Sequence, residues 1–222
     1  MRRASSLVRE LAALTCALAV ASVSAIAGQN PHAAVFIDFS GTADSWYLMH
    51  DGGWDNETYP QLGEQVDAYV GLFTAGTGTW NPDHTHEPPA QPQVTGGSFR
   101  LEWPAESLAM VEFSSLLPGD LAIGSPDAGI TVSSTQCVQE PVVYLLRVTL
   151  EYLGVPGDLL VVDHPDYPRW IVDCHSPMYE VDYYCVASHG GVGKSALLGE
   201  ENCSADVPVQ RGTWASLKAL YR

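Results

Sequence analysis

Residues Ser188-His189-Gly190-Gly191-Val192-Gly193-Lys194-Ser195 have the layout of a phosphate-binding loop, and a strand-like run, Tyr183–Ala187, precedes them. Such a loop wraps phosphate with backbone N–H groups, adds a lysine charge and places a serine on magnesium. The rest of the pattern is missing. Ser188 stands where the first glycine belongs, and Ala196-Leu197-Leu198 runs into Gly199 and an acidic pair rather than opening a helix. Only 27 residues follow Ser195, too few for a second magnesium carboxylate and a base-recognition loop. The segment therefore reads as a glycine-rich surface turn between Cys185 and Cys203, and nucleotide is excluded as a ligand.

Other groups could hold a metal or attack a bond. In Asp83-His84-Thr85-His86-Glu87, extended backbone places the His84 and His86 imidazoles on one side, the start of a zinc or copper site without a third ligand. Asp51-Gly52-Gly53-Trp54-Asp55-Asn56-Glu57 gathers oxygen ligands around glycines; Asp51 and Asp55 could serve Ca2+, but the spacing is not that of an EF-hand. Both segments read first as solvated loops, and no cofactor is expected. There is no G-x-S-x-G nucleophile elbow, and His189-Gly190-Gly191 is too brief for an oxyanion-hole motif. Asp163, Asp166 and Asp173 supply carboxylates of the kind a glycosidase pairs. However, Asp163-His164-Pro165-Asp166-Tyr167-Pro168 reads as the turn of a hairpin. No catalytic residue is assigned, and a secreted hydrolase is the least favoured reading. Flat rings at Trp46, Trp54 and Trp80 could stack on sugar, whereas Trp170, inside an apolar run, is expected in the core.

The address of the chain conditions all of this. Arg2, Arg3 and Arg9, the apolar run Leu11–Val23 and Ala25-Ile26-Ala27 read as a secretory signal peptide over residues 1–27, too short in its apolar part for a comfortable transmembrane helix. The mature chain is expected outside the cytoplasm, extracellular or periplasmic, with no transmembrane segment. The whole sequence carries a formal charge of −16. Removing three arginines and Glu10 leaves seven basic and 25 acidic residues, hence −18. Nucleic acid and anionic membrane are poor partners for such a chain. Four cysteines remain after cleavage, Cys137, Cys174, Cys185 and Cys203, and an even count outside the cytoplasm reads as two disulfides. Cys137–Cys174 with Cys185–Cys203 is the favoured pairing, and a Cys174–Cys185 hairpin bridge is the next.

The elements that must position these residues are strands. Gln65–Phe73 alternates, with Val66, Ala68, Val70 and Leu72 on one face and Asp67 on the other. Ser98–Trp103 alternates Phe99, Leu101 and Trp103 against Arg100 and Glu102, and Pro141–Leu153 is the longest apolar run. Ala33–Phe39, Ala109–Phe113, Leu121–Ile123, Gly129–Ser133, Asp158–Val162, Trp170–Asp173 and Tyr183–Ala187 bring the total to about ten, bounded by Gly, Pro, Asn and Asp. With no helical stretch between them, the class is all-β: a two-sheet antiparallel sandwich of jelly-roll type over residues 28–203. Residues 76–93 form a long Pro-rich insertion. Residues 204–222 are a linker and a short amphipathic tail, Gly212–Arg222, with three basic residues at Arg211, Lys218 and Arg222; it reads either as a short helix docked on the domain or, the favoured reading, as a sorting or surface-anchoring signal.

Residues 62–162 resemble the cohesin-like β-sandwich of secreted bacterial scaffolds. Gly63-Glu64-Gln65-Val66-Asp67-Ala68-Tyr69-Val70 looks like the opening strand, Gly96–Leu108 like a glycine-led strand meeting an aromatic, a proline and a leucine, and Pro141–Leu153 like the late core strand. Trp103 directly precedes Pro104, where the family has an aspartate. The whole chain also looks similar to uncharacterised secreted bacterial proteins ending in a short Trp…Lys-Ala-Leu-Tyr-Arg tail. The resemblance implies a non-catalytic module that recognises a protein partner through a sheet face, with no partner-reading residue carried over. A polysaccharide is the alternative partner.

Overall fold

The computed structural model describes residues 33–42, 55–74, 93–119, 121–140, 142–167, 170–174, 180–197, 199 and 210–211. Fourteen strands and no helix occur among them: β1 (Ala33–Asp38), β2 (Glu57–Thr58), β3 (Gln65–Thr74), β4 (Val94–Glu102), β5 (Leu108–Ser115), β6 (Leu121–Ser125), β7 (Gly129–Val138), β8 (Val143–Tyr152), β9 (Gly157–Val162), β10 (Trp170–Asp173), β11 (Glu180–Tyr183), β12 (Cys185–Ser188), β13 (Gly190–Val192) and β14 (Gln210–Arg211). The signal-like residues 1–27, the 76–92 part of the insertion and residues 212–222 of the tail lie outside the described residues.

The first sheet has the order β12-β1-β3-β8-β5. Its centre is the long antiparallel pair β3–β8, running from Gln65↔Glu151 to Leu72↔Val143. The expected alternation holds there: Ala68, Val70 and Leu72 are fully buried while Asp67 lies on the opposite face. The second sheet has the order β14-β11-β10-β4-β9-β13-β2, with β7 on the other side of β4 and β6 beyond β7. Between the sheets lies the main core, to which Phe99, Leu101, Ile130, Val132, Leu145, Val148, Leu150, Leu159, Val161 and Ile171 contribute. Each such side chain stabilises the fold by roughly 1.5–3 kcal/mol through burial.

Strand β1 is buried on both faces. Ala33, Val35 and Ile37 join the main core, while Ala34 and Phe36 join Phe73, Val142 and Cys185 in a second cluster on the outer side of the first sheet. Gly71 is what admits the Phe36 ring: a Cβ there would lie 2.7 Å from Phe36 Cε1. A side chain at 71 and a phenylalanine at 36 exclude each other.

Two expectations are corrected. The sheets are mixed, because β12 runs parallel to β1 and β13 runs parallel to β2. And Asp163–Pro168 is not a hairpin turn. Strand β9 pairs antiparallel with β4 from Leu160↔Glu102 to Val162↔Arg100, and β10 continues along the same edge from Trp170↔Ser98 to Asp173↔Val94. The chain thus follows one strand line, and residues 163–167 lie outside the pairing. A hairpin would have reversed its direction; the shared partner β4 keeps it.

Cys137 and Cys174 form a disulfide, as expected, closing a sequence separation of 37. Their Cα atoms are 5.4 Å apart although β7 and β10 flank β4 on opposite sides. Two strands separated by a third would stand nearly twice as far apart. The flanking strands therefore converge where β4 begins at Val94. Because Cys174 is bonded to Cys137, the Cys174–Cys185 alternative is removed; Cys203, the expected partner of Cys185, lies outside the described residues.

Candidate functional site on the outer face of the second sheet

Register defines this face. Ala122 sits opposite core residue Val132, and Gly124 opposite Ile130, so the intervening Leu121 and Ile123 point to the other side of the sheet with Ser133 and Thr131. Across β7 to β4, Thr131 faces Ser98 and Ser133 faces Gly96. Across β4 to β10, Ser98 faces Trp170 and Gly96 faces Val172. Two rows therefore cross four strands: Ile123–Thr131–Ser98–Trp170 and Leu121–Ser133–Gly96–Val172.

The middle of both rows is small and polar, and the ends are apolar. Side-chain size therefore dips into a shallow trough between Leu121/Ile123 on one wall and Trp170/Val172 on the other, with Thr131 and Ser133 partly exposed in its floor and Gly96 and Ser98 buried beneath. Gly96 is required in that floor, since a Cβ would lie 2.6 Å from the Val132 carbonyl oxygen. Leu121 and Ile123 are 55% and 45% exposed. Strand β6 pairs only with β7, so its outer edge offers unpaired backbone groups among the described residues. The Cys137–Cys174 bridge ties together the strands on both sides of the floor.

The excursion at 163–167 flanks the Trp170 wall. Tyr167 lies 5.7 Å from the Trp170 ring and 4.8 Å from the His164 ring, with interplanar angles of 33° and 34°. His164 Nδ1 accepts a hydrogen bond from the Asp166 N–H at 3.1 Å. Partial burial holds the His164 pKa below its ordinary 6.5; Asp166 opposes that shift and Arg100 adds to it. The expectation that Trp170 is a core residue is corrected: Ile171 takes the inward position, and Trp170 is half-buried on the outer face.

At its far end β4 leads from the trough to an open groove of about 740 Å³. Glu102, Trp103, Met110, Asp127, Asp158 and Leu160 contribute to its walls. Arg100 pairs with Glu102, and Lys194 Nζ lies 3.0 Å from Asp158 Oδ2. Asp158 Oδ1 is buried and finds no hydrogen-bond partner in the structure.

The remaining sequence candidates come apart. The glycine-rich segment is not a surface turn as expected: Gly190–Val192 is a fully buried strand between β9 and β2. Its lysine is held by Asp158 and its histidine by Val161, whose N–H donates to His189 Nδ1 at 3.2 Å. Asp163 and Asp166 are exposed on the excursion, while Asp173 is fully buried at the other end of β10. Asp55 is exposed and contributes backbone: its N–H donates to Asp38 Oδ1 at 3.1 Å and its carbonyl accepts from Phe39. Asp51, His84, His86, Trp46, Trp54 and Trp80 lie outside the described residues. Among the described residues no three His, Cys, Asp or Glu side chains gather as a metal-binding group. The trough itself escapes sequence reasoning, because it depends on which strands lie side by side.

No protein-family model matches this chain, and no curated protein matches it. Similar solved structures are cohesin modules. The sixth cohesin of scaffoldin B from Acetivibrio cellulolyticus, in complex with a dockerin, shares 9% identity over 73% of this chain and 99% of its own, with a TM-score of 0.45. A type I cohesin–dockerin complex from Clostridium thermocellum gives 6% identity over 72% and 91%, with a TM-score of 0.44. A non-cellulosomal cohesin from Archaeoglobus fulgidus gives 9% over 77% and 94%, with a TM-score of 0.40. The likeness is one of fold alone.

Proposed function

We propose that this chain is a secreted, non-catalytic module that recognises a partner protein in the trough between β6 and β10. The observation that carries the reading is the pair of exposed apolar residues on an unpaired edge strand, Leu121 and Ile123, set across a Gly/Ser/Thr floor from Trp170. Exposed apolar side chains beside small residues let another chain approach closely, and a bare strand edge offers it main-chain hydrogen bonds. The net charge of −16 favours a partner rich in Lys and Arg. The disulfide supports an address outside the cytoplasm. On the Trp170 wall the rings are tilted by 33° and 34° to one another rather than coplanar, which disfavours a flat strip for a polysaccharide. Dockerins are the partners of the cohesins in the complexes above; the reading for this chain rests on its own trough.

The test places a photo-crosslinking residue at Thr131, in the floor, and exposes the protein to the secreted fraction of its source. A discrete protein adduct is expected, and it disappears in the Leu121→Asp/Ile123→Asp variant. No adduct, or one unaffected by that double substitution, rejects the trough.

A further inference from the structure

On the opposite sheet lies a second site that the trough does not involve. A cavity of about 300 Å³ opens beside the first residues of β8, with Tyr69 and Tyr144 rings in its wall. Leu116, Pro118 and Val138 line it as apolar surface, and Glu140 brings a carboxylate. Among the described residues no lysine or arginine lines it. The two rings meet edge to face, with centroids 5.6 Å apart and an interplanar angle of 65°. Gly41 packs on Tyr69, where a Cβ would come within 2.9 Å of the ring.

Charge behind the rings has one sign. The Tyr144 hydroxyl donates to Asp38 Oδ2 at 2.6 Å, and Asp38 is fully buried. Its other oxygen accepts from the Ser40 N–H and hydroxyl and from the Asp55 N–H. A phenol that donates to a carboxylate gains electron density in its ring, which strengthens the attraction of the ring face for a cation. Arg147, the guanidinium of the same sheet face, is drawn to Glu112 at 3.5 Å and Asp67 at 4.0 Å, away from this role.

We infer that the cavity is a binding site for a cationic amine on an aliphatic stem, the chemistry of a lysine side chain or a free alkylamine. The apolar wall takes the stem; the tyrosine rings and Glu140 take the ammonium. The volume suits one such group rather than a larger ligand, being at the lower limit of small-molecule pockets. This inference stands whether or not the trough binds a protein.

The experiment follows the tyrosine ring resonances by NMR in the full secreted chain during titration with N-acetyl-lysine-methylamide. Saturable shifts at Tyr69 and Tyr144 are expected. The uncharged isostere N-acetyl-norleucine-methylamide should bind at least about fivefold more weakly, the factor that a partly exposed cation–π contact with an ion pair supplies. Glu140 is exposed, so Glu140→Gln folds normally and should weaken the lysine probe by a similar factor. Glu106→Gln, exposed and outside the cavity, should not. A matching affinity for n-butylamine assigns the site to free amines, and a weaker one assigns it to lysine within a chain. The inference is overturned by equal binding of the norleucine probe, by an unchanged Glu140→Gln affinity, or by no saturable shift with the lysine probe.

Discussion

Replacing Gly191 by alanine distinguishes packing from phosphate chemistry at the glycine-rich segment. Gly191 does not have a positive φ, so alanine meets no backbone penalty there and the whole effect is steric. The new Cβ would lie 2.5 Å from both the Ala196 nitrogen and the Lys194 carbonyl oxygen. Real Cβ atoms essentially never approach below 3.0 Å, so one side must move by at least about 0.5 Å, and neither atom is on a side chain that could rotate away. The segment they belong to is anchored: the Gly193 N–H donates to Thr58 at 2.7 Å, the Ala196 N–H to Glu57 Oε1 at 3.2 Å, and Leu197 accepts from His189 at 3.2 Å. Overpacking of about 1–3 kcal/mol with one weakened hydrogen bond of ~1 kcal/mol gives a loss of ~2–4 kcal/mol. For a chain of this length that lowers Tm by about 5–15 °C in calorimetry. Gly63→Ala is the control, because Gly63 has φ +80° and no neighbour within 4 Å; it should cost only the ~1–2 kcal/mol of a left-handed alanine. A Gly191→Ala Tm within 1 °C of the parent, together with a rise in parent Tm on adding magnesium nucleotide, would refute the packing argument and restore the phosphate loop.

Replacing both Cys137 and Cys174 by serine opens a 37-residue loop and should lower stability by ~4 kcal/mol, read from urea unfolding; a loss under about 1 kcal/mol contradicts the staple. Tyr144→Phe removes the hydrogen bond to buried Asp38 and should cost ~1.5–3 kcal/mol by the same assay, whereas a neutral result would mean that water replaces the hydroxyl. His164 has a folded pKa below its ordinary 6.5, burial being the main cause. The unfolded chain therefore takes up the proton first, and the stability held by neutral His164 is present above 6.5 and lost as pH falls through the folded value. His164→Asn should accordingly lose less Tm than the parent between pH 7 and pH 5; equal losses count against this assignment.

Strand β3 was readable from the chain because Val66, Ala68, Val70 and Leu72 alternate on one buried face, and β8 because it lies in the longest apolar run. Strand β13 was not readable. Glycine is depleted in strands, and Gly190-Gly191 qualifies as one only because Ile37, Phe39 and the 194–196 backbone leave no room for a Cβ. β2, two residues long, has no periodicity to detect and exists by pairing with β13. The parallel pairing of β1 with β12 joins residues about 150 apart in sequence, a distance over which local pattern carries no information. The trough failed to show for a related reason. In Trp170-Ile171-Val172 every residue is apolar, so the run does not reveal which parity faces inward; the partners Gly97 and Ser98 decide it. The Cys137–Cys174 bridge was legible because two cysteines near strand ends needed only proximity.

The excursion at 163–167 separates two jobs that a single strand line usually combines. Because β9 and β10 are each pinned independently to β4, their register does not depend on how many residues run between them. Lengthening or shortening that segment leaves the core in place and changes only what stands over the Trp170 end of the trough. Loop closure grows slowly with length, each doubling costing about 0.6 kcal/mol. The fold thus has a position where sequences can be exchanged at little expense to stability, and the wall of the trough can be rewritten while its floor stays the same.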